Sequence, residues 1–189
     1  FTAMSAVIKD GAAVYVAHAD SEGVNFRSAF TESGFLLKQC LIWAKQQFVF
    51  GRSDYHWQHE PILYGWKAGS AHSFYGASNQ GTLWNIDRPM RSDKAHPTQK
   101  PVALVEKAIL NSSKTGDLLY EPFGGGGSTL IACEMSGRNS RLMELDPKYV
   151  DVIVRRWQEF TGKQATHAAT GATFAEVEAD SAMAVAEDV

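Results

Sequence analysis

An open α/β sheet with helices packed on both faces is the fold class that this chain of 189 residues predicts, and three observations carry the prediction. Four consecutive glycines, Gly124 to Gly127, separate a short apolar run from a helix-forming segment. A second strand-like run, Ser140 to Leu145, follows and ends in acids. Asp146-Pro147 then opens a helix, with Val150, Ile153, Val154, Trp157 and Phe160 as its apolar stripe up to Gly162. Strand, glycine turn, helix, strand, acid, helix is the βαβα order of such a sheet.

The remaining elements are read in order. FTAMSAVIKDG has the character of the last turns of a helix whose beginning is not shown, so the true N-terminus is expected elsewhere. Ala12 to Ala17 fits a buried strand of a parallel sheet, and Asn25 to Glu32 a helix stopped by Gly34. Phe35 to Trp43 and Pro61 to Trp66 are β-rich runs on either side of QQFVFGRSDYHWQHE. The stretch from Lys67 to about Lys94 shows no period, and a loop of that length in a compact domain is usually functional or mobile. Pro101 opens a helix whose Val102, Leu104, Val105, Ala108 and Ile109 share one face. Asp117 to Tyr120 reads as a strand, and Thr129 to Met135 as the helix after the glycines.

Composition narrows the function classes. A hydrophobic content of 44% with 21% charge is ordinary for a globular domain. No apolar run approaches a membrane span and no basic-apolar leader opens the chain, so a cytoplasmic protein without a membrane partner is expected. Cys40 and Cys133 lack partners at metal-ligand spacing, which points to reduced, packed thiols and no metal site. The net charge is -3, but residues 164–189 hold Glu176, Glu178, Asp180, Glu187 and Asp188 and no Lys or Arg. The rest has 18 basic and 16 acidic side chains, a balance of +2. The alanine-rich acidic tail is expected to be loosely attached.

Bare backbone between a strand and a helix lets a ligand approach closely, and the helix N-terminus favours a negative group there. A carboxylate about 20 residues later, at the end of the next strand, can take both hydroxyls of a ribose. Glu144 occupies that place, so the pair suggests a nucleoside-containing cofactor. A phosphate-cradling P-loop is excluded because Ser128, not lysine, follows Gly127. The dinucleotide pattern G-x-G-x-x-G fits poorly, since its third glycine would fall on Thr129 or Leu130.

At these residues the sequence resembles the amino-directed DNA methyltransferases, the N6-adenine/N4-cytosine family. EPFGGGGST resembles the family's D-P-F-x-G-S/G-G-T loop, with Glu121 in place of the usual Asp. AHPTQKPVALVEKAI resembles the H-P-T-x-K-P segment of the permuted class, in which the catalytic half comes first. LMELDPKYVDVIVRRWQEFTG, VYVAHAD and DYHWQHEPILYGWK are similar to flanking segments of that class. The resemblance implies a Rossmann-like methyltransferase sheet, S-adenosylmethionine as cofactor, restriction-modification as setting, and transfer to an exocyclic amine of DNA, adenine N6 ahead of cytosine N4. It further implies that Phe123, Gly124, Gly125, Gly126 and Gly127 wrap the cofactor with Glu121, Ser128 and Thr129, that Glu144 binds ribose and Asp146 borders adenine, and that Thr98 and Lys100 lie near the methionine end. His96, Pro97 and Pro101 serve either that site or the entry into the helix. On this resemblance residues 1–163 form the methyltransferase domain, with 67–95 as target-recognition region and 96–163 as cofactor-binding half.

The family holds its target amine with an Asp/Asn-Pro-Pro-Tyr/Phe motif and stacks an aromatic ring on the flipped base. The six prolines here include no adjacent pair, so no catalytic residue is assigned. The permuted order places that motif, and a central strand of the sheet, upstream of Phe1. Completion by a further segment or by a second copy as a homodimer is therefore expected, and the chain alone is expected to be weakly active or inactive. Double-stranded DNA with base flipping is the expected partner. Tyr55, His56, Trp57, Phe74, Tyr75 and Trp84 lie among basic residues as stacking candidates, although Trp57, Tyr64 and Trp66 are assigned to packing. Arg88, Arg91 and Lys94 are the DNA-contact candidates. His18, Asp20 and Glu22, past the end of a strand, either edge the active site or cap a loop. Rival readings are a non-catalytic cofactor- or DNA-binding subunit, a nicotinamide oxidoreductase, and a methyltransferase acting on RNA or a small molecule.

Overall fold

The structure, a computed structural model, describes residues 1–88 and 99–187. Helix α1 (Thr2–Val7) leads into strand β1 (Ala13–Ala17), a turn of 3-10 helix and α2 (Gly23–Glu32). A long antiparallel pair follows, β2 (Phe35–Val49) and β3 (Trp57–Lys67), then the short β4 (Leu83–Asn85). The second half runs α3 (Val102–Ser112), β5 (Leu118–Glu121), α4 (Ser128–Ser136), β6 (Asn139–Leu142), α5 (Pro147–Thr161) and α6 (Phe174–Glu187).

Two sheets result, one of four strands in the order β1-β3-β2-β4 and a parallel pair β5-β6. Because β2 folds straight back as β3, β1 pairs antiparallel with β3, from Ala13 opposite Trp66 to Ala17 opposite Ile62. The expectation that β1 lies in a parallel ladder is corrected by that hairpin. Both strands of the hairpin also run further than their apolar runs suggest, β2 continuing to Val49 and β3 starting at Trp57, with pairs at Ala44–His59 and Val49–Trp57. Among the described residues no ladder joins β1 to β5.

Helices cover both faces of the larger sheet. Val14, Phe35 and Leu63 point toward α1 and α2, where Phe30 is completely buried. Leu41, Trp43, Ile62, Tyr64 and Trp84 point the other way, toward Leu104 of α3. A bulge explains how Phe35 and Leu41, both odd-numbered on one strand, reach opposite faces. Lys38 is the extra residue between the pairs Leu37–Gly65 and Gln39–Tyr64, and one inserted residue reverses every later side chain. Helix α3 joins the halves: Leu104 and Ala108 pack on the large sheet, while Val105 and Ile109 pack on Ala132, Cys133 and Leu119. Tyr15 adds a hydroxyl contact to Ser112 at 2.7 Å.

Several sequence expectations shift. Trp84 is core rather than a stacking residue, because β4 gives it a strand position beside β2, whereas Trp57 is 48% exposed and so is not a packing residue. Strand β6 stops at Leu142, since the chain turns once the Met143 carbonyl accepts from Gly124 N. On α5 only Ile153 of the apolar stripe is buried, with Val150 and Phe160 largely exposed. The tail is more ordered than its composition implies: Thr166 bridges Thr173, and Glu178 of α6 accepts from Arg155 at 2.6 Å. No helix among the described residues is long and apolar enough to cross a membrane.

Replacing Phe30 by Ala removes a ring with no solvent contact. Chemical denaturation of Phe30→Ala is expected to show a loss of about 3–5 kcal/mol, the usual cost of a phenylalanine-sized deletion in a core.

Candidate functional site

A cleft of about 340 Å³ lies between β1 and the glycine turn, within the size range of small-molecule sites. Its walls include Tyr15 to Ala17 of β1, Lys100, and the run Glu121 to Gly126 with Ser128 and Thr129. The bare residues have distinct reasons to be glycine. A Cβ on Gly124 would lie 2.9 Å from Ile153 Cδ1 and 3.2 Å from the Met143 carbonyl oxygen. Gly125 and Gly127 take left-handed backbone, φ 52° and 74°. Outside Gly125 the space is open, the nearest atom to an added Cβ being 4.0 Å away.

Glu144 reaches this turn from the end of β6. Its Oε2 accepts from Gly125 N at 2.7 Å, and its Oε1 accepts from the Leu145 and Asp146 amides at 2.9 and 3.1 Å. The carboxylate and the bare backbone are thus in direct contact. On the cleft side, Glu121 accepts from Phe123 N and from the Thr129 hydroxyl, both at 3.0 Å. Burial pushes the Glu121 carboxyl above its ordinary range, against those two donors and the nearby Lys100 charge.

Lys100 connects the site to the hairpin. Its carbonyl accepts from Ser128 Oγ at 2.7 Å, and its ammonium pairs with Glu60 at 3.1 Å. Glu60 also holds Lys45 at 2.7 Å. Burial raises the Glu60 carboxyl, but the two ammonium groups outweigh it and hold the group below its usual range. Behind the turn, the Arg156 guanidinium donates to the Gly126 carbonyl and to Ser128 Oγ.

The structure brings Lys100, Glu121, Phe123, Gly124, Gly125, Gly126, Ser128 and Thr129 to one cleft, with Glu144 joined to it at Gly125. Asp146 does not line the cleft; its carboxylate caps α5 by accepting from Lys148 N at 3.0 Å. Arg88 sits against the hairpin, exchanging two backbone hydrogen bonds with the Gln46 amide. Thr98, Arg91, Lys94, His96 and Pro97 lie outside the described residues. His18 stacks on Phe26 and its Nδ1 contacts the Ala19 carbonyl, while Glu22 accepts from the Asn25 side chain; neither lines the cleft. Sequence reasoning missed Glu60 and Arg156. Arg156 was within reach, since it stands one helical turn after Ile153, which packs under the glycines. Glu60 pairs across the fold and leaves no local signal.

The chain matches the family model of the N6_N4_Mtase DNA methylases over residues 1–155. The chain belongs to this family. Among curated relatives, the type II methyltransferase M.Cfr9I of Citrobacter freundii is 30% identical over 158 residues, covering 74% of this chain and 51% of that protein. The chain thus spans about half the length of that relative. In fold it resembles the crystal structure of the M1.HpyAVI-SAM complex, with a TM-score of 0.73 at 23% identity over 82% of this chain and 78% of that one. It also resembles the cytosine-N4-specific PvuII DNA methyltransferase, with a TM-score of 0.63 at 22% identity over 77% and 62%.

Glu60→Gln leaves the ammonium of Lys45, whose side chain is only 8% exposed, without its counter-charge. Breaking such a pair is expected to lower unfolding free energy by about 3 kcal/mol at neutral pH. Because the native carboxyl is held low, the wild-type contribution is intact above the ordinary glutamate range and is lost as pH falls through the native value. Denaturation curves at several pH values are expected to converge for the two proteins under acid, and a constant gap would contradict the pairing.

Proposed function

We propose that this chain is the cofactor-binding part of a DNA methyltransferase that transfers the methyl group of S-adenosylmethionine to an exocyclic amine of a DNA base, adenine N6. The observation that carries the reading is the contact of Glu144 with Gly125 N at the mouth of the cleft. It sets a carboxylate beside backbone that a nucleoside can approach. The open space outside Gly125 and the volume of the cleft fit such a molecule.

Gly124 to Gly126 and the first turn of α4 hold the adenosyl portion, and Glu144 takes the ribose hydroxyls. Asp146 borders the adenine from its place at the start of α5. Glu121, Thr129 and Lys100 lie toward the methionine end, where Lys100 offers charge to a carboxylate and Glu121 fixes the turn through Phe123 N and Thr129. Thr98 belongs with them by its place in the motif. Bound S-adenosylmethionine supplies an electrophilic methyl group on sulfur. The chain's own share is orientation: holding the ligand still converts an encounter into a positioned displacement.

The acceptor is double-stranded DNA with the target base flipped out, and Arg88, Arg91 and Lys94 serve its phosphates. An Asp-Pro-Pro-Tyr-type motif is required for turnover and, since the prolines of this chain include no adjacent pair, enters on a further segment. The edges of β1 and β5, unpaired among the described residues, flank the cleft and suit the strand bearing it. The protein works in the cytoplasm.

Labelled S-adenosylmethionine and duplex DNA, offered to the chain alone and joined to its motif-bearing segment, test the reading by nucleoside analysis. N6-methyladenine is expected from the joined form only. Robust turnover by the chain alone would remove the need for the motif, N4-methylcytosine would replace the acceptor, and label entering neither base would overturn the proposal.

A further inference from the structure

The β2–β3 hairpin overhangs the cleft. The last pair of β1 is Ala17 with Ile62, yet β2 and β3 remain paired beyond it through Ile42–Pro61, Trp43–Glu60 and Ala44–His59 and meet again at Val49–Trp57. Past Ala44 no third strand flanks this ribbon among the described residues, since β4 ends its pairing at Ala44 and Asn85. At the usual rise of roughly 3.3 Å per residue the tip stands roughly 20 Å beyond the carboxyl end of β1. That is the side on which the glycine turn opens, because Glu60 at the ribbon's base pairs with Lys100 and Lys100 accepts from Ser128.

The tip is aromatic and exposed. Tyr55 is 90% and Phe50 81% accessible, and Phe48 and Trp57 are each about half accessible. The rings are already grouped: Phe48 lies 4.9 Å from Phe50 and stacks on His56 at 5.1 Å. A cluster of this kind in water marks a surface that meets a partner. Two cations stand with it. Arg52 is at the turn, and Arg88 is latched to β2 through the Gln46 amide; neither takes part in an ion pair among the described residues.

We propose that this ribbon tip is a stacking wedge for the unstacked bases of DNA opened at the target site, with Phe50 and Tyr55 as the contacting rings. The inference rests on the DNA methylation reading and adds a surface to it. Its chemistry favours bases over a run of phosphates, because Asp54 offsets Arg52 at the tip while the rings remain uncovered. Base-on-aromatic stacking tolerates any sequence, so the ribbon contributes affinity and holds the strands apart without reading the site. Arg88, held beside β2 by its backbone bonds to Gln46, suits the adjoining phosphate.

The test uses the intact protein and its Phe50→Ser/Tyr55→Ser variant, whose changes touch only exposed rings. Binding of a fluorescein-labelled duplex opened by one mismatch is followed by anisotropy, S-adenosylhomocysteine binding by calorimetry, and self-association by sedimentation. Expected is a rise in DNA dissociation constant of about tenfold or more, with S-adenosylhomocysteine binding and self-association unchanged. DNA binding equal to wild type overturns the wedge alone. A loss of self-association with DNA binding retained overturns it in favour of an interface between copies. A wild-type protein that binds neither DNA nor S-adenosylhomocysteine takes down the methylation reading as well.

Discussion

The hydrogen bond from Gly125 N to the Glu144 carboxylate is the contact on which the site depends. Its donor and acceptor come from two successive crossings of the sheet, the turn after β5 and the end of β6. It forms only if β5 and β6 lie parallel and adjacent, as their pairing from Leu118–Asn139 to Glu121–Leu142 requires. The left-handed backbone at Gly125 aims the amide at the carboxylate, and any side chain there would strain that conformation. Leu145 and Asp146 amides hold the other oxygen, so the acid is fixed by backbone on both sides.

Around that contact the two halves of the chain are tied by few, specific links. Helix α3 spans both apolar clusters, and Tyr15 fastens its end to β1. On the polar side, Lys45, Glu60 and Lys100 form a charged relay from the hairpin to the segment that accepts from Ser128. Arg156 closes the arrangement from behind by holding the Gly126 carbonyl. Burial pulls this guanidinium below its ordinary range, yet its planar fork still suits two acceptors on one loop. The cleft therefore sits where sheet, turn and hairpin meet.

Much of this is legible in the sequence alone. Four glycines after an apolar run, an acid one strand later and Asp-Pro at a helix start are local signals, and the fold reads out from them. Elements fixed by distant partners were less visible. The length of β2 and β3 escaped because Gln46, Gln47 and His59 are polar, and the strands are carried through them by the distant pairs Ala44–His59 and Val49–Trp57. Trp57 and Trp84 exchanged roles for the same reason: one is carried out on the ribbon and the other is covered by α3 and β2. Glu60 acquires its place through two lysines far from it in sequence, which no spacing rule anticipates.

The most direct test of the central contact is a calorimetric titration of S-adenosylhomocysteine into the wild-type protein and into Glu144→Ala, with NAD as the competing ligand class. A carboxylate shared between the glycine turn and a ribose predicts binding of S-adenosylhomocysteine and not NAD, weakened about tenfold or more in the variant, as expected when a charged hydrogen-bond partner is lost. Equal affinity in both proteins, or preference for NAD, would contradict it.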